Sequence, residues 1–424
     1  MKNKIKLTLV AALTLGATSA FATNGSNLIA TGSQARSMGG TGIGVSHGAE
    51  SGLANVALIT TVEETEVSFG GMFFIPKVKN TNNINLGTMG DDSGSGTSGA
   101  DLNVIPEVAV ASKVNENLYL GMGIWGTAGL GVDYRGDDNT GQMEMVTNLQ
   151  LMQFATPIAY KKNGFSIGFT PILQYGALDI NYNMSAALRS AMAQTQVTED
   201  KTVGTGMSQD LEFGYDIGIA YQKAGFTIGA IYKSQIDMTY QDVLPTAIGE
   251  MGVNYTNEEL STPAEMGIGI SYAFNKNTIA LDYKKIKWSD AKGYQDFDWD
   301  DQNVFAIGYE YAEKKWAIRL GYNYAKSPIS EQEVMLNEQG QDTNINSAGL
   351  PAGLVNTFNT LGFPGIMTTH YTFGGNIQLA KQTKLAVAYV YAPQEEVTYK
   401  NFLNQDSTTK HKQSSLSFDI VYDF

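Results

Sequence analysis

The sequence predicts an all-β fold, a 14-stranded antiparallel transmembrane β-barrel with an N-terminal plug inside its lumen. Three observations carry this prediction. Segments of about 10 residues alternate large apolar side chains with polar or small ones, the period of a strand that faces lipid on one side and a polar lumen on the other. The links between these segments are alternately tight and long, as in a barrel with short turns at one rim and long loops at the other. No run in the chain approaches 18 consecutive apolar residues, so strands rather than helices are the elements available to cross a bilayer.

Taken in order, residues 1–22 read as a secretory signal peptide. Lys2, Lys4 and Lys6 form a basic head, Leu7 to Leu15 is a short apolar run, and Ala20-Phe21-Ala22 is an A-x-A cleavage site. Residues 23–64 break the strand pattern and carry Gly25, Gly32, Gly39, Gly40, Gly42, Gly44, Gly48 and Gly52. A compact irregular segment placed before the first strand is positioned to enter the lumen as a plug or hatch.

The barrel is expected over 65–424, with strands at 65–79, 102–114, 118–131, 146–161, 164–183, 210–223, 225–240, 262–274, 277–288, 302–312, 315–328, 369–380, 383–399 and 412–424. Alternation is cleanest at the end, where Leu416, Phe418, Ile420, Tyr422 and Phe424 share one face and Ser415, Ser417 and Asp419 the other. Leu211, Phe213, Tyr215, Ile217, Ile219 and Tyr221 oppose Glu212, Gly214, Asp216 and Gly218 in the same way. A soluble sandwich would turn the aromatic face inward. Export, aromatic residues near strand ends and an even strand count favour lipid outside. The lumenal charges Glu212, Asp216, Lys233, Asp282, Lys284, Glu310 and Arg319 are expected to pair with one another or to hold the plug.

Composition closes other classes. The chain has no Cys, which removes disulfides, thiolate metal sites and Cys nucleophiles, and only three histidines, His47, His370 and His411. Its formal charge of −14 argues against nucleic-acid partners. Gly121, Gly123 and Gly126 spell GxGxxG, but within a strand and with no helix following, so no dinucleotide site is read there. Asp296, Asp298 and Asp300 begin like a calcium loop, yet Asp301 and Ile307 stand where that loop requires Gly and Glu. No metal, cofactor or catalytic residue is expected.

The start Asn24-Gly25, then Ala35 to Gly40, then Asn55-Val56-Ala57-Leu58, with Asn359 to Pro364 and His370-Tyr371-Thr372 later, resembles the FadL family of outer-membrane transporters for hydrophobic compounds. The resemblance implies a plugged barrel in a Gram-negative outer membrane that takes up long-chain fatty acids or, as in relatives, aromatic hydrocarbons such as toluene. It assigns hatch or gate roles to Gly39, Gly40, Asn55, Val56 and Ala57, although Val56 stands where the family pattern has Pro. It also implies a kinked third strand that opens the wall sideways near Gly126, Gly129 and Gly131. The terminal Phe424 resembles the aromatic residue recognised by the outer-membrane assembly machinery.

A hydrophobic solute gains about 0.8 kcal/mol per buried CH₂ on leaving water, so a carrier must step it between apolar surfaces. Leu188 and Met192 in one long loop, and Leu350, Leu354, Phe358, Phe363 and Met367 in another, are candidates for an exposed external capture groove. Loops packing on one another to cap the barrel is the competing reading of the same residues. At the level of function, a general diffusion porin and an outer-membrane hydrolase using His370 or His411 stand as alternatives to the transporter.

Overall fold

The structure, a computed structural model, describes residues 23–136, 141–193 and 195–424; the expected signal peptide lies outside the described residues. Fourteen strands close into one barrel. They are β1 (Thr65–Asn82), β2 (Asn103–Lys113), β3 (Leu118–Asp133), β4 (Val146–Ala155, resuming at Ile158–Lys162), β5 (Phe165–Met184), β6 (Ser208–Lys223) and β7 (Phe226–Lys233). The second half comprises β8 (Glu265–Phe274), β9 (Asn277–Ile286), β10 (Gln302–Ala312), β11 (Trp316–Ala325), β12 (Thr369–Ala380), β13 (Thr383–Lys400) and β14 (Asp406–Asp423). Each pairs antiparallel with the next, and β14 closes on β1 from Asp423 opposite Glu66 to Ser407 opposite Asn82. Pairing of β14 with β1 removes the two terminal edges that an open sheet would present to lipid.

Burial settles which face meets lipid. The outer face carries Phe213 at 78% exposure, Met122 at 64% and Ile268 at 61%, while Asn80, Ser166, Gln174, Ser417 and Asp419 are buried inside. An apolar exterior around a polar interior is inverted relative to a soluble sandwich and fits lipid outside. The tight turns take their geometry from residues that tolerate positive φ. Asn163-Gly164 and Ala224-Gly225 both hold φ > 0, the two-residue turn whose twist matches the flanking strands.

At the opposite rim the long loops carry three short helices, Ala186–Ala193, Val243–Gly249 and Ala352–Thr357. They pack with the upper inward faces of the barrel into one apolar core that caps the lumen.

Two strand boundaries differ from the sequence reading by more than three residues. β7 ends at Lys233 rather than near 240, because Ile236, Met238 and Tyr240 turn into the cap core and leave the lipid face that Phe226, Ile228 and Tyr232 occupy. β14 begins at Asp406 rather than 412, its upper part continuing in polar outward residues such as Thr408 and Lys410, which lack the apolar alternation.

Candidate ligand path and its plug

Residues 24–62 sit inside the barrel, and nearly every strand holds them. A five-residue helix, α1 (Ser33–Ser37), lies against β11, β12 and β13. On β2, Glu107 accepts hydrogen bonds from the Gly32 amide at 3.1 Å and from Arg36 Nη1 at 2.9 Å; the Arg36–Glu107 ion pair is fully buried. Asp419 on β14 accepts from the Ser33 amide at 2.7 Å. Thr372 on β12 accepts from the Gly39 amide and donates to the Ser37 carbonyl, and Asn323 on β11 donates to the Gly39 carbonyl. Asp282 on β9 receives three successive amides, Gly42, Ile43 and Gly44, and Ser271 on β8 donates to the Gly44 carbonyl. The expected lumenal pairing is present: Arg319 with Glu310 and Gln34, Lys284 with Glu265, and Lys233 with Asp216 and the Leu53 carbonyl.

The close fit depends on small residues in the wall. Inward glycines at 168, 218, 229, 269, 308, 321 and 374 each abut plug atoms, so that a Cβ at Gly229 would lie 2.0 Å from the Ile43 carbonyl oxygen. Their lack of side chain lets plug backbone approach strand backbone. Within the plug, Gly39 and Gly40 take φ of 71° and 83°, the left-handed turn that follows α1.

Asn55 caps a 3₁₀ turn over Val56–Thr61: its Oδ1 accepts from the Ala57 amide. Its Nδ2 donates to the Ile43 carbonyl and, across the interface, to the Ile219 carbonyl on β6. Val56 packs on Gly168 and Gly218, and Ala57 is buried with Leu58 against Ala220.

Two plug groups have displaced titration. Burial holds His47 down at about 4, even though its Nε2 is hydrogen-bonded to the Thr41 carbonyl at 2.7 Å. Burial pushes Glu50 up, and the nearby Asp419 carboxylate adds to the rise. In the undocked plug His47 has its ordinary value of about 6.5, so the undocked form binds the extra proton between pH 6.5 and 4. Docking therefore weakens as pH falls through that window, by about 3 kcal/mol in all from this group, while Glu50 works the other way. His47→Gln is expected to flatten the acid-side loss of plug protection in limited proteolysis scanned from pH 7 to 4.

The wall is interrupted beside the plug. β2 pairs with β3 only up to Glu107 opposite Trp125; above that level β3 keeps its pairing with β4 but has left β2. A register shift lies between Gly126 and Ala128, and the freed β3 edge is met by the plug, Asn27 bridging Ala128 and the Ser26 carbonyl accepting from the Gly129 amide at 3.0 Å. At the top the loop that precedes β2 reaches β3, the Gly99 amide donating to the Asp133 carbonyl at 2.7 Å. Gly126, Gly129 and Gly131 thus line one side of a bounded gap, and the Ile105 side chain leans onto Gly126 from the other.

Between plug and wall lies a cavity of about 100 Å³. Its apolar lining includes Leu28, Ile29, Ile43, Leu53, Ile231 and Val304; its charged lining is Asp216, Lys233, Glu265, Asp282 and Lys284. Sequence reasoning missed this cavity, since residues from several strands and from the plug build it and no local run contains them.

The apolar loop residues are placed differently from the sequence reading. Leu188, Leu350, Leu354, Phe358, Phe363 and Met367 are buried, and Met192 is partly buried against the same core. They face one another across the cap instead of forming an exposed groove, because loops that bury these side chains together remove them from water. In the same core Trp288, Tyr294 and Trp299 pack edge-to-face or tilted with ring centroids 4.6 to 5.1 Å apart, and Ser26 of the plug is hydrogen-bonded to Tyr294. The His411 ring is held between the Pro364 carbonyl at 3.0 Å and the Gln413 side chain at 3.2 Å.

A closed fourteen-strand barrel filled by its own N-terminal segment is the architecture of a plugged outer-membrane transport protein. The family model described as outer membrane protein transport protein (OMPP1/FadL/TodX) matches residues 9–353, and the chain belongs to that family. Its fold is similar to that of a Pseudomonas aeruginosa FadL homologue, with 14% identity, a TM-score of 0.71, and coverage of 94% of this chain and 100% of that one. The P. putida toluene transporter TodX matches at 16% identity and TM-score 0.65, covering 93% and 99%, and the Ralstonia pickettii toluene transporter TbuX at 17% and 0.63, covering 93% and 98%. A comparison with curated proteins finds no match.

Proposed function

We propose that this barrel takes up small uncharged hydrophobic molecules, of the monoaromatic hydrocarbon class, and releases them sideways into the membrane. The charge state of the plug-side cavity carries this reading. Both of its lysines are engaged, Lys284 by Glu265 at 3.3 Å and Lys233 by Asp216 and the Leu53 carbonyl, and its three acids outnumber them. A fatty-acid carboxylate would enter a site with no unengaged cation and a surplus of negative charge, an unfavourable desolvation. An uncharged ring carries no charge to desolvate and can lie against the apolar part of the lining. The size agrees: an apolar cavity of about 150 Å³ holds benzene, so this one is on the scale of a single ring rather than a long acyl chain.

In this reading the ligand passes from the cap core, through Leu188, Met192, Leu350, Leu354, Phe358, Phe363 and Met367, to the plug-side cavity. Asn55, Val56 and Ala57, with the Gly39-Gly40 turn, latch the plug. Movement of Ser26 and Asn27 off the β3 edge uncovers the gap at Gly126, Gly129 and Gly131. Phe424, whose ring is 62% exposed beside Tyr422, is the contact offered to the assembly machinery. The likeness to toluene transporters supports the ligand class, and the acyl-chain alternative rests on the FadL side of the family.

Glu265→Gln tests the charge argument. It leaves Lys284 without its carboxylate, and uptake of a fatty acid relative to toluene is expected to rise by roughly tenfold, one well-placed charge pair. An unchanged ratio in cells with correctly assembled barrel would remove the charge argument. For the release step, amides 126–132 of β3 are expected to exchange with deuterium faster than those of β6, and protection equal to β6 would contradict a lateral gate.

A further inference from the structure

The outer face of the closing seam carries a charge arrangement that the transport path does not use. Lys77 and Lys79 of β1 and Lys410 and Lys412 of β14 all point outward. The register sets Lys77 directly opposite Lys412, and Lys79 directly opposite Lys410. Like charges facing each other across strands are destabilising unless something neutralises them. Lys410 reaches Glu396 at 3.0 Å, but among the described residues no ion pair is formed by Lys77, Lys79 or Lys412. The nearby Asp406 is engaged by Lys400, and Asp101, before β2, is exposed. In a chain of net charge −14, the three lysines of this small patch that form no ion pair among the described residues call for a counter-charge from outside.

Their depth says what that counter-charge is. Below them on β1 the outward residues are Phe69, Phe73 and Ile75, and on β14 Leu416, Phe418 and Ile420. Ser414, one outward step below Lys412, pairs with Tyr391, which pairs with Tyr371, so the lysines begin where the aromatic girdle ends, on the long-loop side. Neighbouring lysines are about 5 Å apart across the strands and about 7 Å apart along them, a spacing suited to phosphate oxygens. We propose that Lys77, Lys79, Lys410 and Lys412 form a binding site for the phosphate groups of an acylated glycolipid in the outer leaflet, its acyl chains lying on Phe73, Ile75, Leu416 and Phe418.

The test uses the full-length barrel in detergent, bis-phosphorylated lipid A as the probe, and native mass spectrometry to count retained lipid. Wild type and a variant with all four lysines changed to Arg are expected to retain it at least roughly tenfold better than the K77Q/K79Q/K410Q/K412Q variant. Wild type is likewise expected to prefer it to the dephosphorylated lipid, with no displacement by inorganic phosphate. Equal retention by the Gln variant, or equal retention of dephosphorylated lipid, overturns the proposal, and displacement by inorganic phosphate reassigns the patch to a free anion. Heat-modifiability checks that each variant is folded. In lipid-free detergent the Gln variant is expected to melt above wild type; a lower melting temperature would contradict the like-charge argument.

Discussion

Gly321→Val is expected to turn a closed barrel into a steadily conducting pore. A Cβ at Gly321 would lie 2.0 Å from the Gly39 amide nitrogen and 2.3 Å from the Met38 carbonyl carbon. Both are backbone atoms, so no rotamer change relieves the clash. The wall cannot yield either, since Gly321 is paired with Gly308 on one side and Thr372 on the other, and Gly308 itself touches the Met38 carbonyl. The plug is the part held by side-chain hydrogen bonds rather than by a closed ladder, so it moves. Planar-bilayer recordings should show steady ion current for the variant and a closed wild type, with barrel assembly verified by heat-modifiability. A closed variant with an intact barrel would mean that the plug does not seal at this contact.

The second large effect is expected from Arg36→Met. Arg36 is buried among Glu107, Asp419 and Glu50, and its own bonds go to Glu107. Burial disfavours its charge, but the surrounding carboxylates outweigh that and raise its pKa. Removing the guanidinium leaves an uncompensated buried carboxylate, at a cost of about 3–5 kcal/mol to plug docking. Removing both charges, Arg36→Met with Glu107→Leu, should recover most of that loss, because a buried ion pair replaced by apolar groups is often neutral. Protease accessibility of residues 23–64 reads the result. A single variant as protected as wild type would show that the pair does not anchor the plug.

The barrel was legible because lipid selects its outer face strongly. Leu416, Phe418, Ile420 and Tyr422 have no alternative environment, so their period survives in the sequence. The signal fails where that selection lapses. Thr408 and Lys410 continue β14 beyond the expected strand and read as polar surface, and Ile236, Met238 and Tyr240 keep an apolar period while serving the cap. Plug docking was legible only in part. The lumenal charges could be named, but inward glycines look alike in a sequence whether they face water or a plug backbone at van der Waals distance. The Arg36–Glu107 pair joins residues far apart in the chain, and although Arg36 lies in the Ala35–Gly40 motif, nothing local to either residue names its partner. The apolar loop residues show the same limit, since hydrophobicity gives the need for burial and not the partner that supplies it.

The most direct test of the account is parallel uptake of toluene and of a long-chain fatty acid by cells that lack their own transporter and express this chain. The paired lysines and ring-sized cavity predict toluene uptake well above the vector control and fatty-acid uptake at the control level. Fatty-acid uptake without toluene uptake, from a confirmed barrel, would contradict the assignment and mean that Lys233 or Lys284 leaves its carboxylate to receive the ligand.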